Sequence, residues 1–303
     1  MRWARFLRDL GHRVQIRQRW EGEPCDLLLA LHAQRSAEAV LSFRARQPRR
    51  PILVALTGTD VYRDLGRSAL ARRAVELADR LIALQPLALQ ELEPRLRAKG
   101  RVIYQSVPRT PSATPRRRWF DVSVVGHLRE VKDPLRAAYA ARLLPPESRI
   151  RVLQAGGAIE KAFAREARAE QRRNPRYRWL GELPRWKARR LIASSRLLVL
   201  SSRMEGGANV ISEAVVDGVP VVASRISGSV GLLGKDYPGY YPVGDTEALA
   251  RLLRRSETDS RFYAGLRRCC SRLAFRFEPR REKEAWRKAL QQVGAAGVSA
   301  SEP

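Results

Sequence analysis

Residues 197–224 read LLVLSSRMEGGANVISEAVVDGVPVVAS, a stretch that predicts a strand, a glycine turn, a helix and a second strand. Two apolar runs, LLVL and VPVVAS, enclose a segment with helical spacing. Gly218 and Pro220 are expected to end the helix at 209–217 and to lead the chain into the next strand. A strand, a helix and a further strand form the unit from which parallel sheets are built. The stretch therefore predicts an α/β fold with a parallel sheet.

The same alternation runs through both halves of the chain and predicts two doubly wound domains. In the first half the predicted strands are residues 12–18, 26–31, 51–57, 79–84 and 101–105. The helices predicted between them are residues 2–10, 34–46, 66–78 and 86–98. In the second half the predicted strands are residues 120–126, 150–155, 177–182, 196–202, 219–223 and a short one near 239–242. The helices predicted there are 209–217, 246–255, 259–273, 280–293 and one that Asp133 caps, Pro134 opens and Leu144 ends.

Residues 108–118, PRTPSATPRRR, interrupt the alternation with three prolines and no apolar core. We interpret this segment as a linker between domains. The predicted domains are residues 1–117 and 118–278, followed by a C-terminal segment at 279–303. Two doubly wound domains are expected to face a cleft, with ligands bound beyond the carboxyl ends of the strands.

The net charge of +27 comes mainly from arginine, because only seven of the 58 basic residues are lysines. The arginines are spread over the chain, including the predicted helix faces at 165–173 and 185–190, and this spread favours solvated helix surfaces. A surface selected for nucleic acid is the alternative, but no helix-turn-helix, zinc spacing or RNA-binding aromatic signature accompanies the charge. No specific nucleic-acid partner is therefore expected. A positive field would still attract small anionic substrates.

Other features of the sequence restrict the class of protein. The three cysteines at 25, 269 and 270 form neither a metal-binding nor a disulfide framework, and no metal or cofactor is expected. No apolar run approaches the roughly 20 residues of a membrane span. The start, MRWARFLRDLGHRV, is amphipathic and charged, so it does not resemble a secretory signal. These observations predict a soluble cytoplasmic protein without a membrane partner.

Two glutamates mark the strongest candidate site. Glu205 lies in the predicted glycine turn, where Gly206 and Gly207 allow the backbone to approach a ligand closely. Asn209 is expected to cap the following helix, whose first amides would favour an anion such as a diphosphate. Glu213 is predicted on the same helix face one turn further, where its carboxylate can accept hydrogen bonds from paired sugar hydroxyls. The alternative is a turn glutamate followed by an unrelated, exposed helix glutamate.

The spacing from Glu205 to Glu213 resembles the signature of the retaining GT-B glycosyltransferases. In those enzymes the first glutamate lies beside the donor hexose and the second binds the nucleotide ribose. The resemblance implies these roles for Glu205 and Glu213, and it implies a GT-B-like fold of two Rossmann-like domains. Leu180-Gly181 resembles the place where members of the group pass backbone beside the base. In that fold the final helix packs back on the first domain, so the helix with Trp286 is expected to do so.

Residues 124–134, VVGHLREVKDP, resemble the group's motif G-R-L-x-x-x-K, whose arginine and lysine neutralise the donor diphosphate. Lys132 matches the lysine, whereas His127 occupies the arginine position and Arg129 follows two residues later. The sequence leaves open which of the two takes that role. We favour Arg129 with Lys132, because a departing diphosphate needs permanent positive charge. The alternative is a histidine at a strand end with two solvated bases.

Residues 56–64, LTGTDVYRD, resemble a glycosyltransferase loop of the form H-G-T-D, with Thr57 where a histidine often stands. The resemblance implies that Thr59, Asp60 and Arg63 line the acceptor side. Asp60 could equally cap a helix.

Two further strand ends supply candidates for the acceptor side. The segment ALHAQRS at 30–36 places His32, Arg35 and Ser36 at the end of one predicted strand. Ser106 follows the last predicted strand of the first domain. A lone histidine at a strand end can also be purely structural, and this alternative stays open.

Seven segments together resemble one subfamily, the selenosugar synthases of selenoneine biosynthesis: RWARFLRDLGHRV, ALHAQRSAEAV, LTGTDVYRD, VVGHLREVKDPL, NPRYRWLGEL, MEGGANVISEAV and GLLGKDYPGYY. The resemblance implies transfer of a sugar, typically N-acetylglucosamine from its UDP donor, to the selenium of selenophosphate, with loss of phosphate. Rival hypotheses are a glycosyltransferase with a thiol acceptor, an inactive nucleotide-sugar sensor and a nucleic-acid-binding protein.

The resemblance and the residue types together define the expected site. The residues expected in catalysis are Glu205, Arg129 and Lys132. Those expected to bind the UDP-sugar donor are Gly126, His127, Leu180, Gly181, Met204, Gly206, Gly207, Ala208, Asn209 and Glu213. Those expected to bind a small anionic acceptor are His32, Arg35, Thr57, Thr59, Asp60, Arg63 and Ser106.

The start of the chain departs from the GT-B pattern. In that fold a strand and a glycine-rich loop precede the first helix, whereas this sequence opens directly into the RWARFLRDLG helix. The first strand of the N-terminal domain is thus expected to be missing. A natural protein with about 15–25 further residues at its start is the expectation that follows, since a strand and a turn need that length.

Overall fold

The computed structural model describes residues 2–111, 114–115 and 118–298. It consists of two compact units, of which the first comprises residues 1–106 and 278–303 and the second residues 107–277. Within the predicted linker, residues 112, 113, 116 and 117 lie outside the described residues, and so does the predicted domain end at 117. The last residues, 299–303, also lie outside them.

The first unit contains a sheet of four parallel strands in the order β1-β2-β3-β4. The strands are β1 (Leu28–Leu31), β2 (Ile52–Leu56), β3 (Arg80–Ala83) and β4 (Gly100–Val102). The helices are α1 (Arg2–Asp9), α2 (Ala37–Arg46), α3 (Leu65–Arg67), α4 (Ala69–Leu77), α5 (Leu87–Gln90) and α6 (Pro94–Ala98), with a π-helical turn at Asp60–Asp64. Four of the five strands predicted for this half are therefore confirmed.

Strand β2 shows why the sheet forms, because all of its five residues are buried. Ile52, Val54 and Leu56 pack into a cluster with α2 and α4, whereas Leu53 and Ala55 pack into a second cluster on the opposite face. Side chains alternate along a strand, so a run of apolar residues fills both faces of a covered parallel sheet. This run positions the loop that begins at Thr57.

The strand predicted at 12–18 is wrong, because these residues pair with no strand in the described part of the chain. Val14 is partly buried against the core of the first unit, but Ile16 is 51% exposed. An alternating apolar pattern yields a strand only where a neighbour supplies hydrogen bonds to its backbone. In the described sheet β1 pairs only with β2, and residues 12–18 adopt no regular secondary structure.

The second unit contains six parallel strands in the order β10-β9-β8-β5-β6-β7. They are β5 (Phe120–Val125), β6 (Ile150–Ala155), β7 (Tyr177–Trp179), β8 (Leu197–Leu200), β9 (Val221–Ser224) and β10 (Tyr240–Tyr241). All six strands predicted for the second half are confirmed. The helices are α7 (Arg136–Arg142), α8 (Lys161–Arg173), α9 (Arg185–Ala193), α10 (Asn209–Val216), α11 (Ser227–Leu233), α12 (Thr246–Thr258) and α13 (Ser260–Leu273), with 3₁₀ turns at Glu130–Lys132 and Ala274–Phe277.

Two predicted helix starts differ from the structure. Asp133 does not cap α7: it adopts a left-handed conformation with φ 43°, and the helix begins at Arg136 after Leu135. Its carboxylate instead accepts a hydrogen bond of 2.9 Å from the Arg136 Nε. Asn209 is the first residue of α10 rather than its cap, which is Ala208. The end of α10 is confirmed, since Gly218 follows with φ 75°.

The last helix, α14 (Pro279–Val298), belongs to the first unit. Trp286 is fully buried among Phe6, Leu53 and Ile82. Its ring also meets the Trp3 ring edge to face, with centroids 4.9 Å apart. Among the described residues, none of the helices is both long and apolar enough to span a membrane.

Candidate active site

The order of the strands in the second unit selects one place for a ligand. After β5 the chain continues to β6 and β7 on one side of it, whereas β8, β9 and β10 lie on the other side. In a parallel sheet, the point where the strand order reverses leaves a crevice beyond the carboxyl ends of the two central strands. These ends are the loops after β5 and β8, which contain Lys132 and Glu205 respectively.

Lys132 and Glu205 form an ion pair in which the Lys132 Nζ contacts the Glu205 Oε1. The same oxygen accepts a hydrogen bond of 2.7 Å from the Ser202 hydroxyl. Both side chains of the pair are largely buried, with 24% of the lysine and 12% of the glutamate exposed. The structure thus brings together two residues that were predicted to bind neighbouring parts of the donor, the diphosphate and the hexose.

Backbone contacts fix the two loops to each other. The Ser201 hydroxyl donates to the carbonyl oxygens of Lys132 and Asp133 at 3.1 and 2.8 Å, and the amide of Arg203 donates to the carbonyl of Val131 at 2.8 Å. Asp133 is one of two non-glycine residues with positive φ among those described, a strained state that is common at functional sites. The two loops that carry Lys132 and Glu205 are therefore held in a fixed position relative to each other.

Arg129 lies in the loop after β5, and its Nε is buried without a hydrogen-bond partner in the described part of the chain. No ion pair joins its guanidinium to a described carboxylate either. A buried guanidinium nitrogen without a partner is costly, and an anionic ligand would satisfy it. His127, the other candidate for this role, is exposed.

Three glycines bring the ends of β5, β6 and β7 together. Gly156 has φ 154°, and a Cβ atom at this position would lie 1.9 Å from the carbonyl oxygen of Gly126. Its amide donates to the carbonyl of Gly181 at 2.8 Å, and its carbonyl accepts from the Trp179 indole at 2.9 Å. Gly126 and Gly181 thus both lie against the backbone of Gly156. Leu180 is next to them, and its amide donates to the carbonyl of Gln154 on β6.

The start of α10 carries the other donor candidates. Ala208 is buried, Gly206 is buried, and Met204 and Gly207 are partly exposed in the turn before the helix. Asn209 is exposed and makes no side-chain cap. The amide groups of this first turn remain oriented as expected for an anion site, although the residue that caps the helix is not the one predicted.

Glu213 is 8% exposed, and its Oε1 lies 4.0 Å from the Nε of Arg189 on α9. Arg189 also donates to Asp217 at 3.1 Å and to the hydroxyl of Thr110 at 2.7 Å. Asp217 accepts a further hydrogen bond of 2.8 Å from the amide of Thr110. Glu213 is therefore one member of a buried polar network rather than an isolated helix glutamate.

In the first unit, the loops after β1 and β2 meet through Asp60, which has no exposed surface. Its carboxylate accepts hydrogen bonds from the amides of Ala33, Thr57, Gly58 and Val61, at 2.7 to 3.1 Å. With its oxygens so occupied, Asp60 anchors the two loops. It does not cap a helix, because Thr59 is the cap of the turn that Asp60 begins.

The other acceptor-side candidates divide into two groups. His32 hydrogen-bonds to the Thr59 hydroxyl at 2.8 Å, and Thr57, Arg35 and Arg63 are exposed around it on the same two loops. Ser106 lies elsewhere: it is 1% exposed, and its amide donates to Glu282 on α14 at 2.6 Å. The described contacts do not join Ser106 to the His32 group.

Several residues at these sites were not singled out from the sequence. Gly228 on α11 is one, because a Cβ there would lie 2.1 Å from the carbonyl oxygen of Glu205. Ser202 could have been predicted, since it lies only three residues before Glu205. Gly156 and Arg189 could not, because they contact residues that are distant in the sequence. In the described part of the chain, no three His, Cys, Asp or Glu residues are grouped so as to hold a metal ion.

Solved structures with the same arrangement of elements are glycosyltransferases and sugar-phosphate synthases. Anabaena Alr3699/HepE, in complex with UDP and glucose, matches with a TM-score of 0.73 and 20% identity over 88% of this chain and 78% of that chain. Sucrose-phosphate synthase from Thermosynechococcus elongatus matches with a TM-score of 0.70 and 18% identity over 89% and 74%. A UDP-forming trehalose-phosphate synthase from Burkholderia xenovorans gives 0.72 and 14% over 90% and 75%.

These similarities confirm the predicted fold class, in which two Rossmann-like units with parallel sheets form a GT-B-like chain. The sequence itself matches a family profile over residues 117–271, just over half of the chain, and this stretch includes the Lys132–Glu205 pair and Glu213. The description of that family is glycosyl transferases group 1. This chain belongs to the group 1 glycosyltransferases and is an enzyme of that class.

Proposed function

We propose that the enzyme uses a UDP-sugar as donor and binds it at the loops after β5 and β8. The observation that carries this proposal is the Lys132–Glu205–Ser202 cluster at the point where the strand order reverses. Arg129 lies on the same loop as Lys132, and its Nε has no hydrogen-bond partner in the described part of the chain. Support also comes from HepE, whose structures hold UDP and UDP-glucose. Together with Arg129 the cluster offers one carboxylate and two cations, a set suited to a sugar and a diphosphate.

The roles follow from the chemistry of each group. Arg129 and Lys132 stabilise the charge on the departing diphosphate, and the first amides of α10 add hydrogen bonds to it. Glu205 accepts hydrogen bonds from the hexose, with Ser202 and Lys132 setting its orientation. Glu213 accepts from the ribose hydroxyls. Gly126, His127, Leu180 and Gly181 border the nucleoside.

We further propose that the acceptor is selenophosphate and the transferred sugar N-acetylglucosamine. This part rests on the resemblance to the selenosugar synthases and on the polar, cationic character of the His32, Arg35, Thr59 and Arg63 region. Such a lining suits a small oxyanion better than a lipid or an aromatic compound, which would need apolar surface.

The reaction would proceed by displacement at the anomeric carbon. The selenium lone pair forms the C1–Se bond while the C1–O bond to the diphosphate breaks, and UDP leaves with the bonding electrons. Water then attacks phosphorus, which releases phosphate and the selenol. Selenophosphate is already a strong anionic nucleophile, so the first step needs no general base, and positioning with charge stabilisation supplies the catalysis.

The test combines donor binding with product analysis. We expect calorimetry to detect UDP binding that Lys132→Ala weakens and Lys235→Ala, an exposed lysine of the same unit, leaves unchanged. Mass spectrometry of reactions with UDP-N-acetylglucosamine and selenophosphate should then show a selenosugar.

Two results would revise the proposal at different levels. Absence of UDP binding would remove the donor assignment altogether. Efficient formation of thioglycosides from a panel of small thiols, without a selenosugar, would retain the donor site and replace selenophosphate by a thiol acceptor.

A further inference from the structure

His32 adopts an unusual backbone conformation at the end of β1. Its φ is 73°, and Asp133 is the other non-glycine residue with positive φ in the described part of the chain. The His32 amide donates to the carbonyl of Ala55 at 2.8 Å, and its side chain is 10% exposed. A histidine in the left-handed region is strained, so the surrounding contacts determine where its ring lies.

The polar neighbours of the ring favour one tautomer. The Nδ1 lies 4.0 Å from the Asp60 Oδ2, and this oxygen already accepts from the amides of Ala33 and Thr57. The backbone amide of Arg35 donates to the His32 Nδ1 at 3.4 Å, so this nitrogen acts as an acceptor. In a neutral imidazole the proton then resides on Nε2. Nε2 lies 2.8 Å from the Thr59 Oγ1 and donates to it.

Thr59 is therefore left with an available donor. Its hydroxyl oxygen accepts from His32, and among the described residues no other hydrogen bond of this hydroxyl is found. The residue is partly exposed. The hydroxyl proton can consequently point to a ligand with a hydrogen-bond acceptor, such as an oxyanion.

Asp64 lies between the His32–Thr59 pair and the guanidinium of Arg63. Its Oδ2 lies 3.8 Å from the His32 Nε2, and its Oδ1 accepts from the Arg63 Nε at 2.8 Å. The carboxylate is 13% exposed, whereas the Arg63 side chain is 53% exposed. The π-helical turn at Asp60–Asp64 places Arg63 and Asp64 just after Thr59, and such turns are frequent at functional sites.

We propose that the Thr59 hydroxyl and the terminal nitrogens of Arg63 bind one oxyanion, and that Asp64 is the positioning residue for both donors. This inference rests on the proposed function, since it assigns the acceptor of the same enzyme to the class of small phosphate-like anions. Asp64 fixes Arg63 through the Nε and attracts the Nε2–H edge of His32, so one carboxylate orients both donors. Thr59 and Arg63 are acceptor residues predicted from the sequence, whereas Asp64 is seen only from its contacts in the structure.

The experiment uses inorganic phosphate as the probe and three variants of the full chain. Thr59→Val removes the hydroxyl and keeps the shape, Thr59→Ser restores the hydroxyl, and Asp64→Asn removes the charge. Asp26→Asn is the matched control, because the Asp26 side chain of the same unit is 91% exposed. Thermal melting establishes that each variant is folded. Phosphate binding is followed by ³¹P line broadening, with excess UDP present to occupy the diphosphate site, and by competition against the acceptor.

We expect Thr59→Val and Asp64→Asn to weaken phosphate binding and to raise the KM of the acceptor by about tenfold, as for loss of a charge-assisted hydrogen bond. Thr59→Ser should recover most of this loss. The affinity for UDP should change by less than about twofold in every variant, because UDP is assigned to the second unit.

Wild-type affinity for phosphate in folded Thr59→Val and Asp64→Asn would overturn the inference, whatever the donor does. Loss of UDP affinity in these variants would also count against it, since a general structural role would then explain the effect. Failure of the wild type to bind UDP would instead refute the proposed function, and phosphate binding by line broadening would still decide the role of the two residues.

Discussion

Glu205 is held by two partners of different kinds, a hydroxyl group and an ammonium group. The Ser202 hydroxyl fixes one carboxylate oxygen, and Lys132 neutralises the charge on the same atom. Without the lysine, a carboxylate that is 12% exposed would face a desolvation penalty. We expect Lys132 and Ser202 to keep Glu205 in this orientation when the donor binds.

A first prediction separates the two roles of this carboxylate. Glu205→Gln keeps the volume and an acceptor for Ser202, but it removes the charge that Lys132 and the hexose use. Turnover should fall at least about tenfold, or roughly 1.4 kcal/mol of transition-state stabilisation, while UDP affinity is retained or rises slightly. Steady-state kinetics and calorimetry provide the two numbers.

Glu147→Gln is the control, because the Glu147 side chain is 63% exposed on the same unit and pairs only with Arg254 among the described residues. Unchanged turnover in Glu205→Gln would remove this residue from the reaction.

A second prediction concerns Glu213, which is 8% exposed on α10. Its assigned partner is the ribose, so Glu213→Ala should weaken UDP binding by about 1–3 kcal/mol, the usual cost of a lost charge-assisted hydrogen bond. Glu247→Ala on α12, with a side chain that is 79% exposed, serves as the matched helix control. Calorimetric titration with UDP gives the difference, and equal affinities in both variants would contradict the ribose assignment.

At the scale of elements, the loops depend on glycines that let backbones approach one another. Gly156 admits the carbonyl of Gly126, and Gly228 admits that of Glu205, at distances where a Cβ could not fit. A loop built on such contacts has little freedom to move, so the residues that it carries are positioned in advance of ligand binding.

A third prediction tests this dependence. Gly156→Ala combines a φ of 154° with a Cβ 1.9 Å from a backbone oxygen, and neither can relax without moving the ends of β5 and β6. Stability should drop by at least about 2 kcal/mol, and UDP affinity should fall with it. Gly66→Ala is the control, since no atom lies within 4 Å of that Cβ. Denaturant unfolding gives the stability of the two variants, and calorimetry gives their UDP affinity. Equal unfolding midpoints would refute the steric argument.

The elements were largely predictable because their signals are local. Apolar runs such as ILVAL at β2 and LLVL at β8 indicate buried parallel strands whatever surrounds them. The segment at 12–18 carries an equally regular pattern, and it failed because a strand also needs a partner. Asp133 failed for a similar reason: its side chain bonds to Arg136, and Ser201 holds its carbonyl, so it does not cap a helix.

The site was predictable only in part. Glu205 and Glu213 were found from their places in the predicted turn and helix, and Lys132 from the resemblance to the G-R-L-x-x-x-K motif. The ion pair between the first two, the strained backbone of His32 and the contact of Arg189 with Glu213 depend on residues far apart in the chain. A single sequence contains no signal for such long-range contacts or for the backbone conformation that they impose.

At the scale of the whole molecule, the excess of arginine is partly used to bind backbone. Arg97 donates to the carbonyls of Leu89, Gln90 and Leu92, and Arg176 donates to those of Pro145, Pro146 and Ser148. These carbonyls lie in or just after the last turn of α5 and in the segment between α7 and β6, where main-chain acceptors lack partners. The charge of +27 therefore has an internal use that does not require a nucleic-acid partner.

One buried carboxylate joins the two ends of the described chain. Glu282 on α14 accepts from the Trp3 indole at 2.6 Å, from the Ser106 amide at 2.6 Å and from the Arg2 Nε at 3.2 Å. Its side chain has no exposed surface. Through this group α1, the segment after β4 and α14 are fixed to each other within the first unit. Nothing in the run REKEAW distinguishes this glutamate from its neighbours, so its role could not be predicted from the sequence.

The fourth prediction follows from this buried carboxylate. Glu282→Ala leaves a partly buried indole, a buried amide and a guanidinium without their acceptor, so the first unit should lose about 3–5 kcal/mol of stability. Glu284→Ala, two residues away with a side chain that is 43% exposed, should change stability little. Tryptophan emission during denaturant unfolding reports the loss, because Trp3 and Trp286 touch beside Glu282. UDP affinity at low denaturant should be preserved, since the donor is assigned to the second unit, and equal midpoints for the two variants would show that Glu282 contributes nothing to holding α1 and α14 together.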